Sequence, residues 1–494
     1  MTFDITIWFF ISSGLFLGWS LGANNMVGLF GTAVSSKMVK FKMAAVIAGI
    51  FTIAGSFISG AGTTNTLTNL GGINAIAGSF TVAISVGIAI TWMTKAKLPV
   101  SASQAVVGAI IGWNIFTGSP TDFSALSKIV MSWVVSPFLA AFFGFATFTL
   151  IKKTVLTWKI HMLELDNYTR IGLIVVGALA SYSMGANNIA NVMGMFVSAT
   201  PFTDVHIAEI LHISGVQQLF FLGGLAIAVG IFTYGHKVLA TVGNDLFKIS
   251  PITGFAVVFA EFIVLSLFTS QSLETFLLER NIPAIPLVPL SATQSFIGAI
   301  IGVGMAKDPQ SIDFKVFGKI SAGWIVAPIT AGILSFVLLF FVQNVFEQKV
   351  IDPTPYEISR SVMDRLKSDG VDTAPIEDLV NRRFTNVKIF KNEITRRHDY
   401  SNNSQFLIIH YAKIDSFRID SVKAGTLDTL RFNAEQIMTV KQFHGEIFRH
   451  KIDFDIALFA GNSAWEETGN KIIDKEITQK KSLIAELMRV RQNK

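Results

Sequence analysis

The chain has 494 residues, of which 51% are hydrophobic and only 15% charged, and its mean hydropathy of +0.52 excludes an ordinary soluble globule. Its net charge of +6 has no strongly one-signed stretch behind it, so basic loops beside anionic lipid explain it and a nucleic-acid partner is not implied. No cysteine is present, which removes disulfides, zinc–thiolate sites and thiol chemistry.

Charge divides the chain near Asn344. Residues 1–344 hold 16 Lys/Arg and 12 Asp/Glu, whereas the last 150 residues hold 24 and 22. Met1-Thr2-Phe3-Asp4 lacks the basic region and cleavage site of a signal peptide, so the apolar run from Ile5 reads as a first membrane helix. A spanning helix needs roughly 20 apolar residues. Ten stretches approach this: about 5–35, 42–62, 73–94, 99–118, 128–151, 168–198, 210–233, 252–273, 285–305 and 320–343. The first contains Gly22-Ala23-Asn24-Asn25 and the sixth Gly185-Ala186-Asn187-Asn188, and each is expected to be a helix interrupted at mid-depth.

The segments fall into five plus five. Beside the Gly-Ala-Asn-Asn pair, Pro99-Val100-Ser101-Ala102-Ser103-Gln104 echoes Pro289-Leu290-Ser291-Ala292-Thr293-Gln294, and helices with Trp133/Pro137 and Trp324/Pro328 follow. An odd number of crossings per half makes the second half enter in the opposite sense, an inverted repeat. The clusters Lys37/Lys40/Lys42, Lys95/Lys97, Lys152/Lys153/Lys159, Lys237/Lys248 and Lys307/Lys315/Lys319 then share one side, with Lys128 and Arg280 as exceptions. That side is cytoplasmic by the positive-inside rule, which leaves both termini outside unless the two Pro-x-Ser segments are re-entrant. The expected architecture is an all-α polytopic membrane protein of the cell (inner) membrane: a first repeat over 1–160, an inverted second repeat over 161–344, and a small soluble α+β domain over 345–494. In that last part Glu357–Lys367, Glu377–Val387 and Ile473–Val490 read as helices and Gln405–Tyr411 as a strand.

Polar amides at mid-bilayer are costly unless paired or in use. Asn24, Asn25, Asn187 and Asn188 therefore become candidate ligands, their helix interruptions offering N–H groups to an anion and carbonyls to Na⁺. Gly and Asn serving only to join helices is the bland alternative. Ser101, Ser103 and Gln104, with Ser291, Thr293 and Gln294, open helices and could donate to oxyanion oxygens, although a plain N-cap explains either copy alone. Glu261, inside the apolar run 256–267, is a candidate cation ligand or proton carrier, with Asn24, Asn187 and Asn191 beside it in that role. The eight histidines show no metal-ligand spacing, and no Walker or dinucleotide fingerprint is present, which argues against an ATP-driven pump and against an enzyme.

These duplicated blocks, together with Gly254-Phe255-Ala256, Gly235-His236-Lys237-Val238 and Thr241-Val242-Gly243, resemble the inorganic phosphate transporter (PiT) family of sodium- or proton-coupled phosphate and sulfate permeases. The resemblance covers residues 5–343 and excludes the tail. It implies secondary transport, an anion held between the halves, sodium nearby, no organic cofactor, and a homodimer. The family motif usually reads Gly-Ala-Asn-Asp, with Thr-His after Pro-x-Ser. Here Asn25 and Asn188 replace the two Asp, and Ser103-Gln104 and Thr293-Gln294 replace Thr-His. Two carboxylates and two imidazoles are thereby missing, which moves the expectation modestly toward sulfate while phosphate stays first. A receptor or scaffold signalling through the tail is the reading from another class.

Overall fold

The computed structural model describes residues 5–95, 100–158, 160–207, 211–242, 250–280, 282–308, 314–425, 427, 432–465 and 471–488. Lys97, Pro99, Lys159, Gly243 and Lys248, named above, lie outside them. Two compact units emerge, residues 1–117, 121–274 and 285–352 forming one and residues 118–120, 275–284 and 353–494 the other.

Helices build the first unit: α1 Ile5–Ser35, α2 Phe41–Ser59, α3 Ala61–Gly71, α4 Ile76–Lys95, α5 Ala102–Thr117, α6 Phe123–Trp158, α7 Met162–Met193, α8 Gly215–Val242 and α9 Pro251–Thr269. A short helix, α10 Gln271–Glu279, then precedes α11 Ala292–Lys307 and α12 Phe314–Asn344. Among the described residues eight helices are long and apolar enough to cross a bilayer: α1, α2, α4, α6, α7, α8, α9 and α12. At 16 residues each, α5 and α11 span only about 24 Å, short of a hydrocarbon core of about 30 Å. They are half-length elements, and α11 is entered through an extended stretch from 282 to 291.

Glycines report how the helices pair. A Cβ on Gly22 would overlap the carbonyl of Ile227, and one on Gly185 that of Thr52; Gly230 meets Trp19 and Gly55 meets Tyr182 in the same way. Thus α1 packs on α8 just as α7 packs on α2. Among the short helices, Gly108 and Gly112 of α5 lie on the backbone of Pro328 and Gly332 in α12, while Gly298 and Gly302 of α11 lie on Pro137 and Ala141 in α6. Every one of these contacts has a twin in the other half.

The same register gives direction. Ser56 donates to the Gly185 carbonyl and Thr52 to that of Ser181, so α2 and α7 run parallel. Gly18 against Ala226, Gly22 against Ile227 and Gly235 against Met26 make α1 parallel to α8. Only five residues join α1 to α2, which must therefore return through the membrane. It follows that α7, the counterpart of α1, runs opposite to it: the repeat is inverted. Parallel packing of α5 with α12 and of α6 with α11 fits the same alternation of ten segments.

One expectation is corrected. Both α1 and α7 run unbroken through their Gly-Ala-Asn-Asn blocks. The glycines there serve close helix approach, and the breaks fall elsewhere, at Gly60 between α2 and α3 and along the non-helical stretch 282–291 before α11, with Val100 and Ser101 likewise non-helical before α5.

In the second unit, residues 405–411 are helical, within the helix Asn402–Ala412, and not a strand. Ser401 caps that helix by accepting from the Ser404 N–H, and Ile408, Ile409 and Ala412 share its buried face at helical spacing. Glu377–Val387 is not one helix either: a 3₁₀ turn, Ala374–Leu379, leads to a strand, Arg383–Phe384. This unit contains a tandem duplication. Strand Tyr356–Glu357 pairs with Arg383–Phe384, and Phe417–Arg418 pairs with Ile447–Phe448. Each pair carries an aromatic trio, Tyr356/Phe384/Phe390 in one and Phe417/Phe448/Phe454 in the other. Each also turns through a left-handed residue three positions before the second aromatic residue of its trio. Asn381 (φ 62°) donates its N–H to the Ile358 carbonyl, and Gly445 (φ 87°) to that of Ile419. The last described helix is Lys471–Leu487.

Candidate functional site: two crossed helix entries

The starts of α5 and α11 meet inside the membrane unit. Ser101 and Ser291 cap them, their Oγ atoms accepting from the Gln104 N–H (3.4 Å) and the Gln294 N–H (3.2 Å). Ser103 Oγ donates to the Leu290 carbonyl at 2.7 Å, and Thr293 Oγ1 donates to the Val100 carbonyl at 3.1 Å. Each half therefore holds the other's entry strand by the same bond. This packs two helix N-termini, the positive ends of their dipoles, against each other. Ser103 and Thr293 spend their hydroxyl protons on these bonds, so they lock the crossing and here do not donate to a ligand.

Asn187 strengthens one side. Its Oδ1 accepts from the Leu290 N–H at 2.7 Å and its Nδ2 donates to the Leu290 carbonyl at 3.0 Å, so one side chain satisfies both polar groups of an extended residue inside a bilayer. Asn191 Nδ2 donates to Ser103 Oγ at 2.9 Å and joins α7 to the other half's helix. On the α1 side the arrangement differs. No hydrogen bond of Asn24 to Val100 accompanies that pattern among the described residues, and Asn24 and Asn25 are half-buried where Asn187 and Asn188 are buried.

Several polar atoms here are buried without a partner: Asn25 Nδ2, Asn188 Nδ2, Gln104 Oε1, Gln294 Oε1, Asn191 Oδ1 and Glu261 Oε2. The first four are two-fold related, two amide donors and two amide acceptors, and turning an amide by 180° exchanges the roles. Unpartnered buried groups cost free energy, so a repeated set of four calls for an occupant.

Glu261 is 1% exposed on α9, and Gly28 of α1 is its neighbour: a Cβ at Gly28 would stand 3.3 Å from Glu261 Oε2. Aligning Phe80-Thr81-Val82 with Phe255-Ala256-Val257 puts Val86 opposite Glu261, and aligning the two Gly-Ala-Asn-Asn blocks puts Gly28 opposite Asn191. The carboxylate is thus single in an otherwise duplicated site. Among the described residues no group of three His, Cys, Asp or Glu could hold a metal ion. The unpartnered Oε2, close against Gly28, suits one small cation bound by carboxylate and amide oxygens. Sequence reading found the paired Asn, Ser, Thr and Gln residues through their duplication, and Glu261 through its place in an apolar run. It missed Asn191 as the brace of Ser103, because Gly28 hides that position's twin.

Comparison with known proteins agrees with this picture. A model of the phosphate transporter family matches residues 21–274 and 284–439, so the match reaches beyond α12 into the tail, which the motif resemblance does not cover. A protein named as a candidate phosphate permease in Pyrococcus furiosus is 24% identical, over 66% of this chain and 93% of its own length. One so named in Haemophilus influenzae is also 24% identical, over 68% and 96%. A solved structure, that of a protein described as the sodium-dependent phosphate transporter, aligns with TM-score 0.53 and 22% identity, covering 69% of this chain and all of that one, and so shares the fold.

Proposed function

We propose that this chain, which belongs to the phosphate transporter family, carries inorganic phosphate across a cell membrane as a sodium-coupled secondary transporter, without any covalent step. The observation that carries the reading is the crossing of the α5 and α11 N-termini, whose bonds Ser103–Leu290 and Thr293–Val100 leave two symmetric pairs of amide groups unsatisfied beside it. Free N–H groups and dipole ends at Ala102, Ser103, Ala292 and Thr293 suit a dianion. Asn25 and Asn188 add donors, and the Gln104 and Gln294 oxygens can accept the proton that phosphate retains near neutral pH. Glu261, with the amide oxygens of Asn24 and Asn191, supplies oxygen ligands for Na⁺. The names of the permease relatives support the substrate, and the sodium dependence of the structurally similar transporter supports the ion.

The halves are taken as 1–160 and 161–344, rocking about the crossing so that it faces each side in turn. We take the tail, 345–494, as a soluble domain and the working form as a homodimer.

A second reading has its own support. Asn25 and Asn188 stand where the family carries carboxylates, so the site has fewer acceptors for a protonated anion, and sulfate needs none. Calorimetry on the detergent-purified protein separates the two. Phosphate should bind at least tenfold more tightly than sulfate, and Asn188→Ala should weaken it. Equal or tighter sulfate binding would replace phosphate by sulfate.

A further inference from the structure

Beyond the crossed entries, the interface between α6 and α11 contains polar groups that the proposed function does not use. Ser136 and Ser295 are both 0% exposed, and neither hydroxyl oxygen has a partner. Among the described residues, two other serine hydroxyls share this, those of Ser321 and Ser335 in α12. Buried Ser and Thr in its membrane helices generally return their proton to a carbonyl three or four residues back, as Ser132, Thr81, Ser85, Thr117 and Ser181 do.

The register of the pair brings the two together. Gly298 lies on the Pro137 carbonyl and Gly302 on that of Ala141, with the helices parallel. Ser136 adjoins Pro137 on the buried stripe Ile129, Ser132, Ser136, Ala140, Gly144, and Ser295 lies three residues before Gly298 on the buried side of α11. The two hydroxyls therefore fall within one turn of each other, across the boundary between the repeats. A third oxygen joins them. Pro137 has no N–H, so the Trp133 carbonyl, one turn earlier on the same face, loses its helical donor. The Trp133 indole Nε1 is likewise buried without a partner, and because helical side chains lean toward the helix start it belongs to the level below this one.

The twin interface is the control that the molecule itself provides. Between α5 and α12, in the same packing, Ala105 stands for Ser295 and Ala327 for Ser136, and both alanines are fully buried. Packing thus accepts alanine at both positions. Proline removes the same helical donor on both sides, Pro137 in α6 and Pro328 in α12, but only the α6 side adds two hydroxyl oxygens at the level of the proline, Ser321 and Ser335 of α12 lying about two turns from Pro328.

We infer that Ser136 Oγ, Ser295 Oγ and the Trp133 carbonyl form a second sodium site, separate from Glu261, which fastens α6 of the first repeat to α11 of the second. A hard monovalent cation is the occupant matched to converging neutral oxygens with no fixed donor at that level. Because its ligands come from both repeats, the ion stabilises the arrangement in which α6 and α11 are in register and is released when they separate. The inference deepens the sodium-coupled reading and rests on it for its physiological meaning, but ion binding can be measured without transport.

The test is binding of radioactive ²²Na⁺ to the purified full-length protein without phosphate, for wild type, Ser136→Ala, Ser295→Ala and, as control, Ser132→Ala, whose hydroxyl is already bonded within its own helix. Wild type should bind two ions. Each of the two site variants should lose one, or weaken its binding by roughly tenfold or more, while Ser132→Ala keeps both. Monodisperse elution and an unchanged melting temperature certify folding, which the twin's alanines lead us to expect. Two ions with unaltered affinity in both site variants would overturn the proposal and make the pocket a water site. Absence of phosphate uptake in a protein that still loses one ion on Ser295→Ala would contradict the transport reading and leave this one standing.

Discussion

Asn187 holds more of the site together than any other single side chain, since it satisfies both polar groups of Leu290 where no water competes. Asn187→Ala should release the α11 entry and abolish uptake, with a folding cost of about 2–5 kcal/mol from the uncovered peptide groups. Asn24→Ala, at the equivalent position without those bonds, should leave melting within about 0.5 kcal/mol of wild type. Thermal unfolding of both variants in detergent checks the asymmetry, and equal losses would refute it. The substituted acids give a second expectation. Restoring a carboxylate by Asn25→Asp or Asn188→Asp adds a charged cation ligand, so uptake should become more steeply dependent on sodium, and an unchanged sodium titration would count against that charge argument. These positions were legible in the sequence because duplication marked them. Their individual duties were not, because Asn24 and Asn187 read identically and only the extended backbone around Leu290 distinguishes them.

Among elements, the glycine contacts decide which helices pair. Gly22→Ala and Gly185→Ala each insert a Cβ into a carbonyl of the partner helix, so either should cost about 1–3 kcal/mol and lower the yield of folded protein. Gly318, with open space around its Cβ, should accept alanine without loss, and comparing melting temperatures of the three checks this. The ten apolar segments were readable from length and hydropathy, and so was the inversion, from the order of motifs. The unbroken course of α1 and α7 was not. Gly and Asn in a membrane helix mark either a break or a close approach, and the sequence alone does not say which. The tail shows the same limit in reverse. Its apolar run 406–411 has no flanking signal strong enough to exclude a strand, and Ser401 capping with burial of Ile408, Ile409 and Ala412 settles it as helix.

At the scale of the whole molecule, one chain joins a membrane unit with inverted symmetry to a second unit with tandem symmetry. The tail has its own acid sensitivity. Side-chain hydrogen bonds from Arg397 hold the Asp378 and Glu393 carboxyls below the usual carboxylate range. Depressed folded-state values stabilise the tail above the ordinary carboxylate range, and this contribution fades as pH falls through it. Arg397→Ala should therefore lower the tail's melting temperature at pH 7 by a small amount, since solvent reaches all three groups, and by nothing at about pH 2. A difference that persists at that acid pH would show that Arg397 acts by packing.

The central claim, sodium-driven phosphate transport through the crossed entries of α5 and α11, is tested most directly by uptake of labelled phosphate into proteoliposomes of the full chain. An inward sodium gradient at equal pH on both sides should drive accumulation above equilibrium, and unlabelled phosphate should compete it away where sulfate does not. Accumulation under a pH gradient alone, or none under any gradient, would contradict the account.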